Sequence, residues 1–319
     1  MKIAILGCGS IGRRHLRNLQ ALGQTDLVAF DPVPAAREQV AAEAGIRVYA
    51  TTAELWRERP EAALITAPSN LHVPLALEAA QNNCHVFIEK PLAHVLDGID
   101  ELSVELERRN LLSMVGCNMR FHPGPALIKK LIEDKAVGDI LSARIQVSSY
   151  LPRWRPQQDY RQSYSASTEW GGAILDCIHE IDLGLWYFGP AALVASAQLP
   201  ASSLGLRTDG LTEMLLRHKS GVLSSIHLNF VQRDYRRCCQ IVGTRGTLYW
   251  DFAEHCVRIF GEDGNLKASN PEPVGWDTNQ MYVDEMLHFL SAVKSGSQTV
   301  NPLSGGVAAL KVALEARRS

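Results

Sequence analysis

The sequence has little of what marks several large protein classes. Its seven cysteines are an odd number with no CxxC pair, which argues against both a disulfide framework and a zinc site. No apolar run approaches the roughly 20 residues of a membrane helix, and Met1 and Lys2 lead directly into a strand pattern without a signal peptide. We therefore expect a cytoplasmic protein without a membrane partner, and no metal.

Charge of either sign is not in excess. The 32 basic and 34 acidic side chains give a formal net charge of −2, so there is no reason to expect nucleic acid or an anionic membrane as a partner. The length of 319 residues favours two domains, and 46% hydrophobic with 21% charged residues is typical of a globular chain.

A glycine-rich turn follows the first apolar segment. Residues 2–6 form a short strand pattern, GCGSIG spans 7–12, and residues 11–22 have helical periodicity. Glycines at this spacing permit a tight turn, close approach of a pyrophosphate, and helix–strand packing, while the helix amino terminus supplies N–H groups. The candidate cofactor-binding residues of this turn are Gly7, Gly9, Ser10, Ile11 and Gly12.

An acidic residue ends the second predicted strand. Asp31 lies about 19 residues beyond Gly12, where a carboxylate is expected to bind the adenosine ribose hydroxyls. A carboxylate there would repel the extra phosphate of NADP, so we expect NAD. Three nearby arginines keep NADP open, because an arginine can accommodate a phosphate: Arg13, Arg14 and Arg37.

A carboxylate and an ammonium follow the fifth apolar strand. Glu89, Lys90 and Pro91 end the run 84–88, and open α/β sheets bind ligands at the carboxyl ends of their strands. An ordinary ion pair at a strand end is the alternative interpretation. The regular alternation of strands and helices before residue 120 predicts βαβ units and a parallel sheet.

The second half is predicted to be rich in strands joined by short turns, which favours an antiparallel sheet. Residues 151–161 form a long polar and aromatic loop, for which we favour substrate recognition over a plain surface loop or a dimer arm. The candidate substrate contacts of the loop are Arg153, Trp154, Arg155, Asp159 and Tyr160.

A helix is then predicted from Gly171 onward, with Asp176 and His179 on one face. Histidine and carboxylates here leave a metal role as an alternative.

Three stretches, GCGSIG, the Glu-Lys-Pro segment at 89–91 and GGAILDCIHEID at 171–182, together resemble the glucose-fructose oxidoreductase / inositol dehydrogenase / rhizopine catabolism family. The resemblance covers nearly the whole chain. It implies a dinucleotide-binding Rossmann domain over 1–120 and an α+β domain over 121–319 with a large, mostly antiparallel open sheet. It also implies a homodimer or homotetramer formed through that sheet, while the carboxyl-terminal helix is expected to pack back on the first domain.

The resemblance also adds site residues. The loop after the fourth strand would border the cofactor, with a turn and a helix cap as the alternative interpretation of its residues. Glu89 would face the cofactor, and the end of the sixth strand would contribute a cofactor contact and a substrate contact. Many family members place the aspartate four residues before the histidine, whereas this chain places it three before. The positions added in this way are Thr66, Pro68, Asn70, His72, Asn118 and, for the substrate, Arg120.

The resulting hypothesis is an NAD(P)-dependent dehydrogenase or reductase. It would act on a sugar, a cyclitol, or an anionic or nucleotide-linked sugar derivative. His179, oriented by Asp176, would take the hydroxyl proton, and Lys90 would stabilise charge on the same oxygen. Two alternatives remain: a lyase, epimerase or glycosidase that oxidises its substrate transiently with a retained NAD, and a nicotinamide-binding sensor without turnover.

Overall fold

The computed structural model describes residues 1–154 and 156–318. The chain divides into two compact units. One contains Met1–Asn118 and Asn279–Val307, and the other contains Met119–Thr278 and the residues from Ala308 onward. This division differs from two contiguous segments because the first unit also contains a carboxyl-terminal stretch.

The first unit contains a six-stranded parallel sheet in the order β3-β2-β1-β4-β5-β6. The order reverses between β1 and β4, and ligands of open α/β sheets bind at such a reversal. The strands are β1 Ile3–Leu6, β2 Leu27–Phe30, β3 Arg47–Tyr49, β4 Ala62–Ile65, β5 His85–Glu89 and β6 Ser113–Gly116. The helices between them are α1 Ser10–Ala21, α2 Pro34–Ala44, α3 Thr52–Trp56, α4 His72–Gln81 and α5 Ile99–Arg108.

Local sequence explains these elements. Every residue of β1 and β4 is buried, as expected for short apolar strands covered on both faces. Thr51 and Glu54 form a capping box at the start of α3, and Gly45 ends α2 in the left-handed conformation, which glycine adopts without strain.

The second unit contains an eight-stranded sheet in the order β14-β13-β12-β11-β7-β10-β9-β8. All neighbouring strands are antiparallel except the parallel pair β7 and β10. The strands are β7 Ile140–Tyr150, β8 Ala191–Pro200, β9 Asp209–His218, β10 Leu223–Asn229, β11 Val231–Gly243, β12 Gly246–Asp251, β13 Cys256–Phe260 and β14 Leu266–Pro271. The remaining helices are α6 Pro123–Glu133, α7 Ala173–Asp176, α8 His179–Phe188, α9 Gln280–Ser295 and α10 Leu303–Arg318.

The predicted fold class, a parallel Rossmann sheet followed by a large, mostly antiparallel sheet, is confirmed. Two details differ from the sequence prediction. The single helix expected from Gly171 is two helices, α7 and α8, and the polar edge strand β14 was not predicted. In the part of the chain that the structure describes, no helix is both long and apolar enough to cross a bilayer.

Candidate active site

The glycine turn between β1 and α1 leaves no room for side chains at two positions. Gly7 has φ +108°, and a Cβ placed there would lie 2.6 Å from the Ala67 nitrogen. A Cβ on Gly12 would lie 2.0 Å from the Gly7 carbonyl oxygen. The start of α1 therefore packs directly against the ends of β1 and β4, which requires glycine at both places.

Gly9, in contrast to Gly7 and Gly12, has free space around its Cα atom. It is exposed, and a Cβ placed there would have no atom within 4 Å. It is the amino-terminal cap of α1 and makes no side-chain capping bond, and Ser10 beside it is exposed while Ile11 is half-buried. The first N–H groups of a helix lack intrahelical acceptors and attract anions. The free space and the donors together suit a pyrophosphate.

Asp31 is held at the end of β2 by two main-chain donors. Its Oδ2 accepts from the Cys8 N–H and its Oδ1 from the Val33 N–H, both at 2.8 Å. Each carboxylate oxygen has a further lone pair for a ligand hydroxyl. Burial, together with the Asp31 charge, raises the pKa of the Cys8 thiol to about 12, so this thiol stays protonated near neutral pH.

Each of the three arginines that kept NADP open is engaged within the first unit. Arg13 forms an ion pair with Glu43 at 3.1 Å, and the Arg14 guanidinium lies 4.5 Å from the centre of the Tyr282 ring. Arg37 donates to two main-chain carbonyls at the end of β2. These contacts favour NAD over NADP.

The loop after β4 contains a hydroxyl group that supports the glycine turn and a buried side-chain oxygen without a hydrogen-bond partner among the described residues. Thr66 is buried and donates from Oγ1 to the Gly7 carbonyl at 2.7 Å, so it supports the glycine turn from below. Pro68 is exposed and precedes a single 3-10 turn. The buried Oδ1 atom of Asn70 has no hydrogen-bond partner in residues 1–154 and 156–318. Such an unpaired buried acceptor is rare, and the predicted cofactor contact of Asn70 stays a prediction.

His72 was predicted to border the cofactor, but the structure places it beneath the loop. It is 2% exposed, with Nδ1 2.9 Å from the Pro91 carbonyl oxygen and Nε2 2.7 Å from that of Ala67. Burial lowers its pKa, and the two carbonyl contacts offset part of this shift. His72 therefore connects the loop after β4 to the segment after β5 through contacts of both ring nitrogens, and its ring is not accessible to a ligand.

Glu89 and Lys90 occupy the carboxyl end of β5. The Glu89 carboxylate contacts His15 Nε2 at 2.7 Å and accepts from the Lys90 main-chain N–H at 3.0 Å. Burial opposes ionisation of Glu89, but His15 and the Lys90 charge outweigh it and lower the pKa of Glu89. The buried Glu89 thus holds the main chain at the half-buried Lys90.

Asn118 follows β6 and is 4% exposed. Its side chain shares a hydrogen bond with Tyr282 on α9. Since β6 is the strand next to β5, Asn118 comes at the same carboxyl edge of the sheet as Lys90. Its predicted cofactor contact stays a prediction.

In the second unit, Asp176 is the last residue of α7 and His179 is the first residue of α8. Both are buried, at 4% and 8% exposed. The prediction that they share one continuous helix is wrong, because the chain leaves the helical conformation at Cys177, with φ −97° and ψ 30°. Helical spacing alone therefore does not determine the relative directions of the two side chains.

Asp209, which the sequence analysis did not single out, positions the start of α7. Its Oδ2 accepts from the Ile174 N–H at 2.8 Å, and Arg317 lies 3.6 Å from its Oδ1. Gly172 has φ +97°, and a Cβ there would lie 2.1 Å from the same Oδ1. The glycine that precedes α7 therefore lets a buried carboxylate cap the helix that ends in Asp176.

One buried and one partly buried ion pair anchor α8. Arg120 donates to both carboxylate oxygens of Asp182, at 2.8 and 2.7 Å, and Arg237 donates to Glu180 at 2.7 Å. Arg120 is 9% exposed. Arg120 was predicted to contact the substrate, but its guanidinium is bound to Asp182 in the core.

The loop after β7 divides its candidates into two kinds. Trp154 is 39% exposed and donates to the Ser149 hydroxyl at 3.0 Å, and the exposed Arg153 donates to a main-chain carbonyl at 2.9 Å. Asp159 is also exposed and forms an ion pair with Arg161, whereas the half-buried Tyr160 donates its hydroxyl to a main-chain carbonyl. Arg153, Trp154 and Asp159 are thus accessible at the surface, and Tyr160 is held against the fold. Arg155 lies outside the described residues.

One further residue could have been found from the sequence. His15 has the same helical phase as Ile11 and Leu19, so the periodicity of α1 places a polar ring on the apolar face. It is fully buried. No comparable signal exists for Asp209, whose partner is a main-chain N–H of a distant segment.

Comparison with known proteins agrees with this architecture. Residues 1–117 match a family model described as an oxidoreductase family with an NAD-binding Rossmann fold, and residues 126–249 match the GFO/IDH/MocA C-terminal domain. The chain is 26% identical to myo-inositol 2-dehydrogenase of Thermotoga maritima, over 100% of this chain and 96% of that protein. It is 25% identical to D-apiose dehydrogenase of Paraburkholderia graminis, over 93% and 81%.

A solved structure has the same fold. Levoglucosan dehydrogenase in complex with NADH and levoglucosan superposes with a TM-score of 0.87 at 20% identity, covering 100% of this chain and 97% of that one. The family model spans the glycine turn, Asp31 and Lys90. The chain belongs to the GFO/IDH/MocA (glucose-fructose oxidoreductase / inositol dehydrogenase / rhizopine catabolism) family of NAD-dependent oxidoreductases.

Proposed function

We propose that this protein oxidises a secondary alcohol of a sugar, a cyclitol or a sugar derivative, or reduces the corresponding ketone, with NAD. The observation that carries the proposal is the shared edge of the parallel sheet. β1, β4 and β5 are neighbours, so the glycine turn, the Asn70 loop and Lys90 come together at their carboxyl ends. Related proteins that act on inositol and D-apiose support the substrate class.

The residues that would hold NAD form three groups. The turn around Gly9 receives the pyrophosphate, Asp31 accepts from the adenosine ribose hydroxyls, and the Asn70 loop with Asn118 borders the rest of the molecule. When bound, NAD supplies the hydride acceptor of the reaction.

The chain supplies the proton chemistry. Lys90 donates a hydrogen bond to the substrate oxygen and stabilises negative charge there, and His179 accepts the hydroxyl proton. Asp176 orients His179. The exposed Arg153 and Trp154 contact the rest of the sugar, since arginine binds anionic groups and tryptophan stacks on sugar faces.

The oligomeric state and the cellular compartment are also part of the proposal. The outer strand β8 exposes Val194 and Leu199, which are 50% and 62% accessible. Large contiguous exposed apolar patches mark association surfaces; we propose a homodimer or homotetramer formed through the eight-stranded sheet, as the family resemblance implies. We propose the cytoplasm as its compartment.

The direct test is a substrate screen. Purified protein is incubated with NAD and a panel of sugars, sugar acids, inositols and nucleotide sugars, and NADH is followed by its ultraviolet absorbance. We expect NADH to accumulate with at least one member. Product formation without NADH would favour the lyase, epimerase or glycosidase alternative, and NAD binding without any product would favour a sensor.

Asp31→Ser is expected to weaken NAD binding by about tenfold to a hundredfold, because hydrogen bonds to a charged acceptor contribute about 1.5–3 kcal/mol. NADP binding should change less, so discrimination between the two cofactors should narrow. Titration of protein fluorescence with NADH and NADPH measures both constants. Tighter binding of NADPH than of NADH by the unmodified protein would contradict the assignment.

Gly9→Ala is expected to weaken NAD binding by about tenfold or more without lowering thermal stability, since an added methyl group would occupy the space left for the pyrophosphate. Gly9 has φ −67° and ψ −171°, which alanine adopts easily. Gly12→Ala is the contrasting variant, because its Cβ would strike the Gly7 carbonyl and should lower stability as well. NAD affinity unchanged in Gly9→Ala would remove the turn from the binding site.

A further inference from the structure

A buried cluster of three ionisable side chains lies behind Lys90 in the first unit. His15 of α1, Glu89 of β5 and Glu285 of α9 are 0%, 7% and 0% exposed. One polar atom of each lies within 4.8 Å of the others. None of these residues is assigned a chemical step above. Burying two carboxyl groups so close together costs folding free energy unless they are paired or protonated.

Two successive hydrogen bonds connect His15 on α1 to the main chain of Lys90 through the Glu89 carboxylate. His15 Nε2 lies 2.7 Å from Glu89 Oε1, and Glu89 Oε2 accepts from the Lys90 main-chain N–H at 3.0 Å. An ionised carboxylate can only accept hydrogen bonds, so Nε2 of His15 carries the hydrogen. His15 Nδ1 has no hydrogen-bond partner among residues 1–154 and 156–318.

Packing keeps this chain of contacts in place. The His15 ring meets the edges of Phe87 and Tyr282, with centroid distances of 5.2 and 6.0 Å. On the neighbouring strand, a Cβ on Gly116 would lie 2.8 Å from Phe87 and 3.4 Å from the Glu89 carboxyl carbon. The imidazole and the carboxylate therefore have little freedom to turn away from each other.

The charges require a proton within the cluster. Two buried carboxylates at this separation disfavour each other's ionisation, and a protonated imidazole or a protonated carboxyl relieves the repulsion. Other titratable or charged groups near this cluster are Lys90, His72 and Tyr282, whose pKa is raised mainly by burial and further by the Glu89 and Glu285 charges; Arg14 lies over the Tyr282 ring. A metal ion fits less well, because His15 and Glu89 already form a direct hydrogen bond.

We propose that His15 and Glu285 are positioning residues of the oxidoreductase reaction, acting on Lys90 through Glu89. His15 fixes the Glu89 carboxylate, which fixes the main chain at Lys90, and Glu285 retains a proton within the cluster. This inference rests on the proposed function, in which Lys90 contacts the substrate oxygen.

Two variants of His15 separate its hydrogen bond from its volume. Glutamine can present an amide donor near the position of Nε2, whereas leucine fills the space without a donor. His15→Leu should lower kcat at least about tenfold with NADH affinity within about threefold, since small displacements of a catalytic group are costly. His15→Gln should recover kcat to within about threefold of the unmodified enzyme.

Glu285→Gln tests the proton. It should shift the pH of half-maximal kcat by at least about half a unit, because an amide that cannot titrate replaces a buried carboxyl group close to Glu89. Asp284→Asn is the matched control: Asp284 is the preceding residue of α9, is half-buried and binds Gln280, so its removal should leave the profile unchanged. An unshifted profile in Glu285→Gln would overturn the role of Glu285.

A measurement on the unmodified protein avoids any folding defect of the variants. Two-dimensional ¹H–¹⁵N spectra of the histidine rings should show a hydrogen on Nε2 of His15, and a hydrogen on Nδ1 alone would overturn the inference. Unchanged kcat in a folded His15→Leu variant would do the same. If Lys90→Ala also keeps full turnover, the proposed function itself fails; if Lys90→Ala is inactive while His15→Leu is active, only this inference fails.

Discussion

Lys90→Ala is expected to lower kcat by more than about a hundredfold while the affinity for NADH stays within about threefold, because a positioned proton donor contributes about 10²–10⁴ to a rate. Lys90 follows β5 at the carboxyl edge of the parallel sheet, next to β4 and its Asn70 loop. Steady-state kinetics on the substrate found in the screen, with NADH titration, measures both quantities.

Lys294→Ala is the matched control for this experiment. Lys294 is an exposed lysine in the last turn of α9 of the same unit, so its removal tests the general loss of a positive charge. Turnover should be unchanged there. If Lys90→Ala also turned over normally, Lys90 would have no part in the chemistry. If NADH binding were lost together with turnover, Lys90 would instead serve cofactor binding.

Arg120→Met is expected to lower the free energy of unfolding by about 3–5 kcal/mol, because it leaves the Asp182 carboxylate buried and uncompensated. The side chains of the pair are 7% and 1% exposed, so solvent screens this interaction little. The Arg120 guanidinium also lies 5.4 Å from the centre of the Trp186 ring. Chemical denaturation monitored by tryptophan fluorescence measures the change.

The double variant Arg120→Met/Asp182→Leu provides the control. Removing both charges should recover most of the lost stability, since an apolar pair of similar volume is often as stable as a buried ion pair. The same variants decide between the two roles of Arg120. A substrate contact would raise KM in Arg120→Met at unchanged stability, which would contradict the structural role.

The parts of the fold that the sequence predicted depend on local patterns. β1 and β4 are fully buried runs of four residues, and continuous apolar strands of this kind separated by helices indicate a parallel sheet. β14 was missed because the segment LKASNP has neither an apolar run nor clear alternation. Pairing with β13 places it in the sheet, and this pairing is not visible in the segment itself.

The sequence predicted those parts of the site where the backbone geometry allows only one type of residue. Gly7 and Gly12 are required by close backbone contacts, so their spacing between a strand pattern and a helix pattern, together with Asp31, predicted the turn. The sequence could not show that Cys177 interrupts the helix between Asp176 and His179, because Ala173 to Phe188 is apolar and regular apart from its acidic residues. The break accompanies the cap that Asp209 makes to α7 from 35 residues away.

For this protein, the linear order of residues determined the family, the class of both domains and the nature of the cofactor, since glycine spacing and hydrophobic periodicity act over a few residues. Tertiary structure alone decided which polar side chains are paired inside the fold and which stay accessible at the surface. Arg120 and His72 looked like ligand contacts, yet each has its partners within the core. The physical reason is that a buried polar group must be paired, and its partner is brought to it by the fold and not by the neighbouring sequence.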